Sequence, residues 1–187
     1  RRAICYERYA AFMETRYDHS KESELYDRWE ASGYFTPENL PPSNVKRQTS
    51  NFSIVLPPPN VTGILHMGHA AMVATEDILV RFARMRGKRT LWIPGTDHAA
   101  IATQSKVEKI LQKEEDKNRF DLGREEFLKR VEQFAGESRA TIISQVKRLG
   151  ASLDWRREAY TLDEKRSHAV RTAFKKLYDL GLIERDY

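Results

Sequence analysis

Two histidines, His66 and His69, flank Met67-Gly68 just after the turn Asn60-Val61-Thr62-Gly63. A short apolar run, Phe52–Leu56, leads through Pro57-Pro58-Pro59 into that turn, and a helical pattern follows the histidines. Side chains three apart share a helix face. At a helix start they stand beside N–H groups without intrahelical acceptors and at the positive end of the dipole, where phosphate binds readily. Imidazole donors there can stabilise charge on a phosphoryl group in transfer. Gly63 permits a turn or the close approach of a ligand, and Gly68 leaves room for a flat base or ribose. Asp97 follows a second apolar run, Thr90–Ile93, and Pro94-Gly95-Thr96. Residues just past adjacent parallel strands line one crevice, so Asn60 and Asp97 are expected to face each other. Amide and carboxylate together can hold a substrate ammonium by charge-assisted hydrogen bonds. The three prolines form a stiff apolar wall suited to a small side chain.

Each of these features has a plainer reading. The histidines can be a polar helix start, or can share a zinc ion with Asp97 or His98. Asp97 can be the N-cap of a helix from Ala99. The prolines can simply end a strand.

The elements that must position these groups follow from periodicity. Ser20–Ser32 is helical, with Leu25, Tyr26 and Trp29 near one face, and residues 36–50 form a surface loop carrying Pro37, Pro41 and Pro42. Phe52–Leu56 suits a parallel strand buried on both faces. A helix over His66–Arg86 presents Ala71, Ile78, Leu79, Phe82 and Met85, with Arg81, Arg84 and Arg86 at its carbonyl end and Gly87 at C′. Thr90–Ile93 is the second strand, broken by Pro94-Gly95. A helix over Ala99–Leu111, a solvated turn at Lys113–Arg119 and a long helix over Arg124–Leu149 follow, with Gly136 marking a kink or break. Thr161–Glu164 reads as a capping box with Thr161 at N-cap, opening a helix with Val170, Phe174, Leu177 and Leu180. These helices suffice to cover the faces of a parallel sheet.

Composition sets bounds. The 187 residues carry a net charge of +5, with 32 basic against 27 acidic residues, which fits a polyanionic partner without demanding one. Cys5 is the only cysteine, which excludes an intrachain disulfide and a cysteine-based zinc finger. No run has the length of a membrane span, so no membrane partner is expected, and a cytoplasmic location is the default. Arg1 in place of Met, and the break at Tyr187, predict cuts at both ends.

Pro57–Ala70 (PPPNVTGILHMGHA) and Trp92–Gln104 (WIPGTDHAAIATQ) resemble the class I aminoacyl-tRNA synthetases, specifically the valyl-tRNA synthetase family. Val146–Glu158, Tyr160–Glu164 and Tyr17–Phe35 extend the resemblance from Tyr17 to the end. It implies an α/β fold, the first half of a Rossmann-like catalytic domain with parallel strands and covering helices over 51–187, behind a helical and loop extension over 1–50. The implied reaction is ATP-dependent activation of valine and transfer of the valyl group to tRNA(Val), with Mg2+ accompanying ATP and no dedicated metal site. His66 and His69 would be catalytic. Thr62, Gly63, His66, Gly68 and His69 would bind ATP, and Pro58, Asn60 and Asp97 valine. Ala100 stands where the family usually has Gly, placing the local turn in question. A KMSKS-like loop and the editing insertion are lacking, so the chain is expected to be a poor enzyme alone. Two other readings remain: a different H-x-G-H nucleotidyltransferase, or a non-catalytic tRNA-binding fragment presenting Arg81, Arg84, Arg86, Lys88 and Arg89.

Overall fold

The computed structural model describes residues 17–40 and 50–186. Cys5, Pro41, Pro42 and most of the expected loop lie outside them, so only 17–40 and Ser50 of the 1–50 extension are described. Among the described residues four strands run in chain order: β1 Asn51–Val55, β2 Arg89–Ile93, β3 Gly95–Thr96 and β4 Ala159–Tyr160. The helices are α1 Glu22–Ala31, α2 Met67–Met85, α3 Ala100–Glu115, α4 Arg119–Leu122, α5 Arg124–Arg148 and α6 Glu164–Asp179. β1 pairs with β2 and β3 with β4, both in parallel.

Pro94 interrupts β2 and β3 for one residue only, and the chain continues along the same line. Backbone groups of successive residues face opposite edges of a parallel strand. Accordingly Ile93 O accepts from Leu56 N and Asp97 O from Val61 N on one edge. Trp92 O, Pro94 O and Thr96 O accept from Asp154 N, Ala159 N and Thr161 N on the other. Residues 89–97 are thus a central strand, with 51–61 on one side and 154–161 on the other.

The strand order advances in one direction, and crossovers share one hand, so both crossover helices fall on the same face of the sheet. Val73 and Val80 of α2 and Ile142 and Val146 of α5 pack in one core with Leu56 and Trp92. Phe52 and Ile54 point to that core, while Asn51, Ser53 and Val55 are exposed. The expectation of a strand buried on both faces, and of helices on both faces, is therefore corrected: the described helices cover one face. The stripe of α2 is corrected with it. Val73, Val80 and Ala83 are buried, whereas Ala71, Ile78, Leu79, Phe82 and Met85 are exposed. Close approach of α2 to the sheet selects its small and β-branched side chains. A second core joins Val107 and Leu111 of α3 to Phe127 and Val131 of α5.

Several boundaries differ from the sequence reading. α3 continues to Glu115, through the start of the expected solvated turn, and Arg119–Leu122 is helical. α5 runs unbroken through Gly136. The N-cap of α6 is Asp163, whose side chain accepts from Arg166 N, and not Thr161. Arg81 and Arg84 do more than complement the dipole of α2. Arg81 donates to Gly150 O at 2.8 Å, and Arg84 to Ser152 O at 2.9 Å. Burial lowers the pKa of Arg84 to about 10.

Gly136 sits mid-helix, and a Cβ added there would meet no atom within 4 Å. Gly136→Ala is expected to stabilise the protein by about 1 kcal/mol, measured by denaturant unfolding.

Candidate active site

A cleft of about 830 Å³ opens at the carboxyl end of β1 and the start of α2. Pro57–Pro59, Asn60, Thr62 and Gly63 form one side, and His66 and His69 stand at the helix start. Met72, Lys106 and Phe134 also line it. Lys106 and Phe134 had no signal in the sequence, because they come from α3 and α5 and reach the cleft only through tertiary packing.

The histidines have a structural task. His66 is the N-cap of α2, with extended backbone. Its Nδ1 accepts from Gly68 N at 3.1 Å, and Nδ1 of His69 accepts from His66 N at 3.2 Å. This is a reciprocal capping box in which two imidazoles replace the usual hydroxyl and carboxylate. The ring centroids are 4.0 Å apart. Since each Nδ1 accepts, the neutral rings carry their protons on Nε2. The polar-helix-start reading and the phosphate-binding reading are therefore compatible: Nδ1 caps, and Nε2–H remains a donor.

Two expectations change. Free N–H groups at the helix start are fewer than supposed, because Gly68 N–H is held by the His66 ring and those of His69 and Ala70 by His66 O. The room above Gly68 belongs to His66: an added Cβ would lie 2.9 Å from Cε1 and 3.0 Å from Nδ1. Glycine is needed there for the cap, and Gly68 is not part of the cleft lining. By contrast, nothing lies within 4 Å of a Cβ at Gly63, which leaves the backbone open to a ligand. Gln145 of α5 holds the preceding loop by accepting from Leu65 N at 2.9 Å.

Asn60 and Asp97 do meet, as a parallel bridge between strand extensions. Asp97 N donates to Pro59 O and Val61 N to Asp97 O, both at 2.8 Å. Bridge partners project to the same side of a sheet. Asp97 is set back from the cleft lining. Its Oδ1 accepts from Ala99 N at 3.2 Å and from the Thr161 hydroxyl at 2.8 Å. The capping reading of Asp97 is partly met, although the N-cap position of α3 is Ala99 itself. Ala99 adopts φ 51°, a left-handed conformation costing about 1 kcal/mol for a residue with a Cβ. Ala100 is an exposed helical residue, so its methyl crowds nothing, and the strained position is its neighbour. Pro58 stands against Gly95, with an added Cβ there 3.7 Å from Pro58 Cβ.

His98 is held elsewhere, its Nδ1 2.6 Å from Tyr160 OH, and no group of three or more His, Cys, Asp or Glu among the described residues is placed for a metal. The residues lining the cleft include no carboxylate. Three of the arginines of the tRNA-binding alternative, Arg81, Arg84 and Arg89, are engaged within the chain. Arg81 pairs with Asp77 at 2.5 Å and Arg89 with Glu38 at 3.2 Å, and Arg84 binds Ser152.

Partial burial, aided by neighbouring His66, holds the His69 pKa below the ordinary 6.5. An unfolded chain then takes up the proton first as pH falls. Stability is expected to be full above about pH 6.5 and to decline below it until His69 itself protonates. Unfolding measured against pH should show this slope, and His69→Gln should flatten it.

The family description "tRNA synthetases class I (I, L, M and V)" matches residues 24–187. The chain is 56% identical over 167 residues to an Arabidopsis thaliana valine–tRNA ligase named for chloroplast and mitochondrion, covering 89% of this chain and 16% of the relative. It is 58% identical over 143 residues to the valine–tRNA ligase of Thermus thermophilus, covering 76% and 16%. With that of Thermotoga maritima it shares 48% over 176 residues, covering 94% and 19%. The chain thus spans under a fifth of the length of these relatives. The fold is similar to that of LeuRS from Agrobacterium radiobacter, solved as a ternary complex with tRNA and LeuAMS: TM-score 0.71 at 23% identity, covering 91% of this chain and 19% of that one. With the family match extending over nearly all described residues, the chain belongs to the class I tRNA synthetases (I, L, M and V).

Proposed function

We propose that this chain is the amino-terminal catalytic portion of a valine–tRNA ligase, with residues 51–187 forming the first half of the nucleotide-binding domain. The observation that carries the proposal is the histidine pair, whose Nδ1 atoms are committed to the helix cap while both residues line the cleft beside Asn60. The 48–58% identities to valine–tRNA ligases support the choice of amino acid.

In the first step the valine carboxylate oxygen attacks the α-phosphorus of ATP, and pyrophosphate leaves with the electrons of the broken P–O bond. A terminal ribose hydroxyl of tRNA(Val) then attacks the carbonyl carbon of valyl-adenylate; the ester forms, the bond from that carbon to the phosphate oxygen breaks, and AMP leaves with its electrons as the hydroxyl proton is released. His66 and His69 donate from Nε2 to phosphoryl oxygens whose charge grows during the first step. Fixed by the cap, they need no reorganisation as that charge develops. Thr62 and Gly63 let the nucleotide approach the backbone. Asn60 and Asp97 hold the valine ammonium, and Pro58 bounds the side-chain pocket. Cytoplasm is the proposed setting; a chloroplast or mitochondrial one suits the organellar relative. Among the described residues no helix is long and apolar enough to cross a membrane.

In the intact enzyme, ATP–pyrophosphate exchange should require valine; equal rates with isoleucine or leucine overturn the assignment. His66→Asn retains a side chain able to cap but removes the Nε2 donor. It should leave stability within about 0.5 kcal/mol while lowering the exchange kcat about 100-fold. His66→Ala should lose about 1 kcal/mol of stability as well. An unchanged kcat in His66→Asn removes this residue from the chemistry.

A further inference from the structure

We propose that Thr161 is a positioning residue for the amino-acid site, locking the Asp97 carboxylate so that Oδ2 is presented to the substrate ammonium. The proposal rests on the reading of Asp97 as an ammonium ligand. Thr161 lies far from Asp97 in sequence, but the β3–β4 register delivers it alongside. Thr161 N donates to Thr96 O at 3.2 Å, one step past the pairing of Thr96 with Tyr160.

A threonine hydroxyl has one proton to donate and lone pairs to accept with. Oγ1 of Thr161 accepts from His98 N at 2.9 Å, and its oxygen lies 2.8 Å from Asp97 Oδ1. With a lone pair engaged by His98 N–H, the hydroxyl proton is directed at the carboxylate, which at neutral pH can only accept. Ala99 N–H gives the same Oδ1 a second bond at 3.2 Å. Oδ1 is thereby held from two sides, and Oδ2 takes no hydrogen bond from the described residues.

A carboxylate held at one oxygen by two donors has little freedom to turn about its terminal torsion. An ammonium binding at the other oxygen then meets an ordered partner and does not bear the cost of ordering it. The His98 peptide, which supplies the N–H, is itself steadied by the His98–Tyr160 side-chain contact at 2.6 Å. Thr161 is exposed and does not belong to either core cluster, so its loss should be felt at the carboxylate more than in the fold.

The test is exchange kinetics of the intact enzyme with Thr161→Val, Thr161→Ser, Asp97→Asn and the Thr161→Val/Asp97→Asn pair. Thr161→Val keeps the shape and deletes the hydroxyl. It should raise the KM for valine about tenfold, as for a lost hydrogen bond to a charged group, with the KM for ATP unchanged. Thr161→Ser should restore the wild-type value. Added to Asp97→Asn, Thr161→Val should bring little further rise, because its effect passes through the carboxylate. A valine KM unmoved by Thr161→Val but raised by Asp97→Asn overturns the proposal alone. A valine KM unmoved by Asp97→Asn overturns the assignment of Asp97 on which it stands. Full additivity in the pair, or equal loss of ATP and valine binding, shows a general structural role and also overturns it. The additivity comparison holds even if Thr161→Val is destabilised, since both backgrounds carry the same loss.

Discussion

The alternating hydrogen bonds of residues 89–97 are the constraint on which the rest of the molecule depends. A parallel strand offers its backbone groups to both edges in turn, and this one uses both. One edge binds the chain that leads into the prolines and the histidine helix. The other binds the segment that returns from α5, with Asp154, Ala159 and Thr161. Two stretches about a hundred residues apart in sequence are thus aligned on one ruler, and the candidate site forms where that ruler ends. Pro94 does not spoil it: proline lacks only the N–H, and its carbonyl still accepts from Ala159.

One consequence is the distribution of burial. Strands added in one direction by crossovers of one hand place α2 and α5 on the same face, so that face acquires a core around Trp92 and the described helices leave the other uncovered. Most polar groups around that core are paired, the exceptions among the described residues being Arg84 Nε and Thr96 Oγ1. Trp92 Nε1 donates to Glu76 at 2.9 Å, and burial raises the Glu76 pKa. Asp77 accepts from both N and Oγ of Ser152. Buried Asp154 pairs with Arg157 and accepts from Thr36 at 3.1 Å. With the Tyr26 hydroxyl of α1 donating to Ala151 O at 2.8 Å, these bonds tie α1, α2 and the 150–158 segment together and hold the histidine helix against the sheet.

The helix start shows how an imidazole cap differs from the usual one. An ordinary N-cap would satisfy the orphan N–H with a hydroxyl or carboxylate and leave the phosphate to the remaining amides. Here the imidazoles satisfy the backbone with Nδ1 and leave Nε2 outside the cap. A carboxylate cap would repel phosphate; an imidazole cap with Nε2–H attracts it. Gly68 fits the same arrangement, since an added Cβ would lie 2.9 Å from the capping ring.

From the sequence alone the strand–helix–strand order, the two histidines at a helix start, and the opposition of Asn60 and Asp97 were all legible. Each is encoded locally, by apolar runs, proline and glycine stops, and helical spacing. The side of α2 that is buried was not legible, because two apolar stripes compete on it and only the sheet decides between them. Lys106, Phe134 and Gln145 were equally invisible, since nothing local marks a residue that reaches a cleft across a core. Thr161 is the sharpest case. Its spacing from Glu164 matches a capping box, but Asp163 takes the cap and β-pairing turns the hydroxyl to Asp97. Local pattern determines which elements form; the long-range register of backbone hydrogen bonds determines which side chains meet.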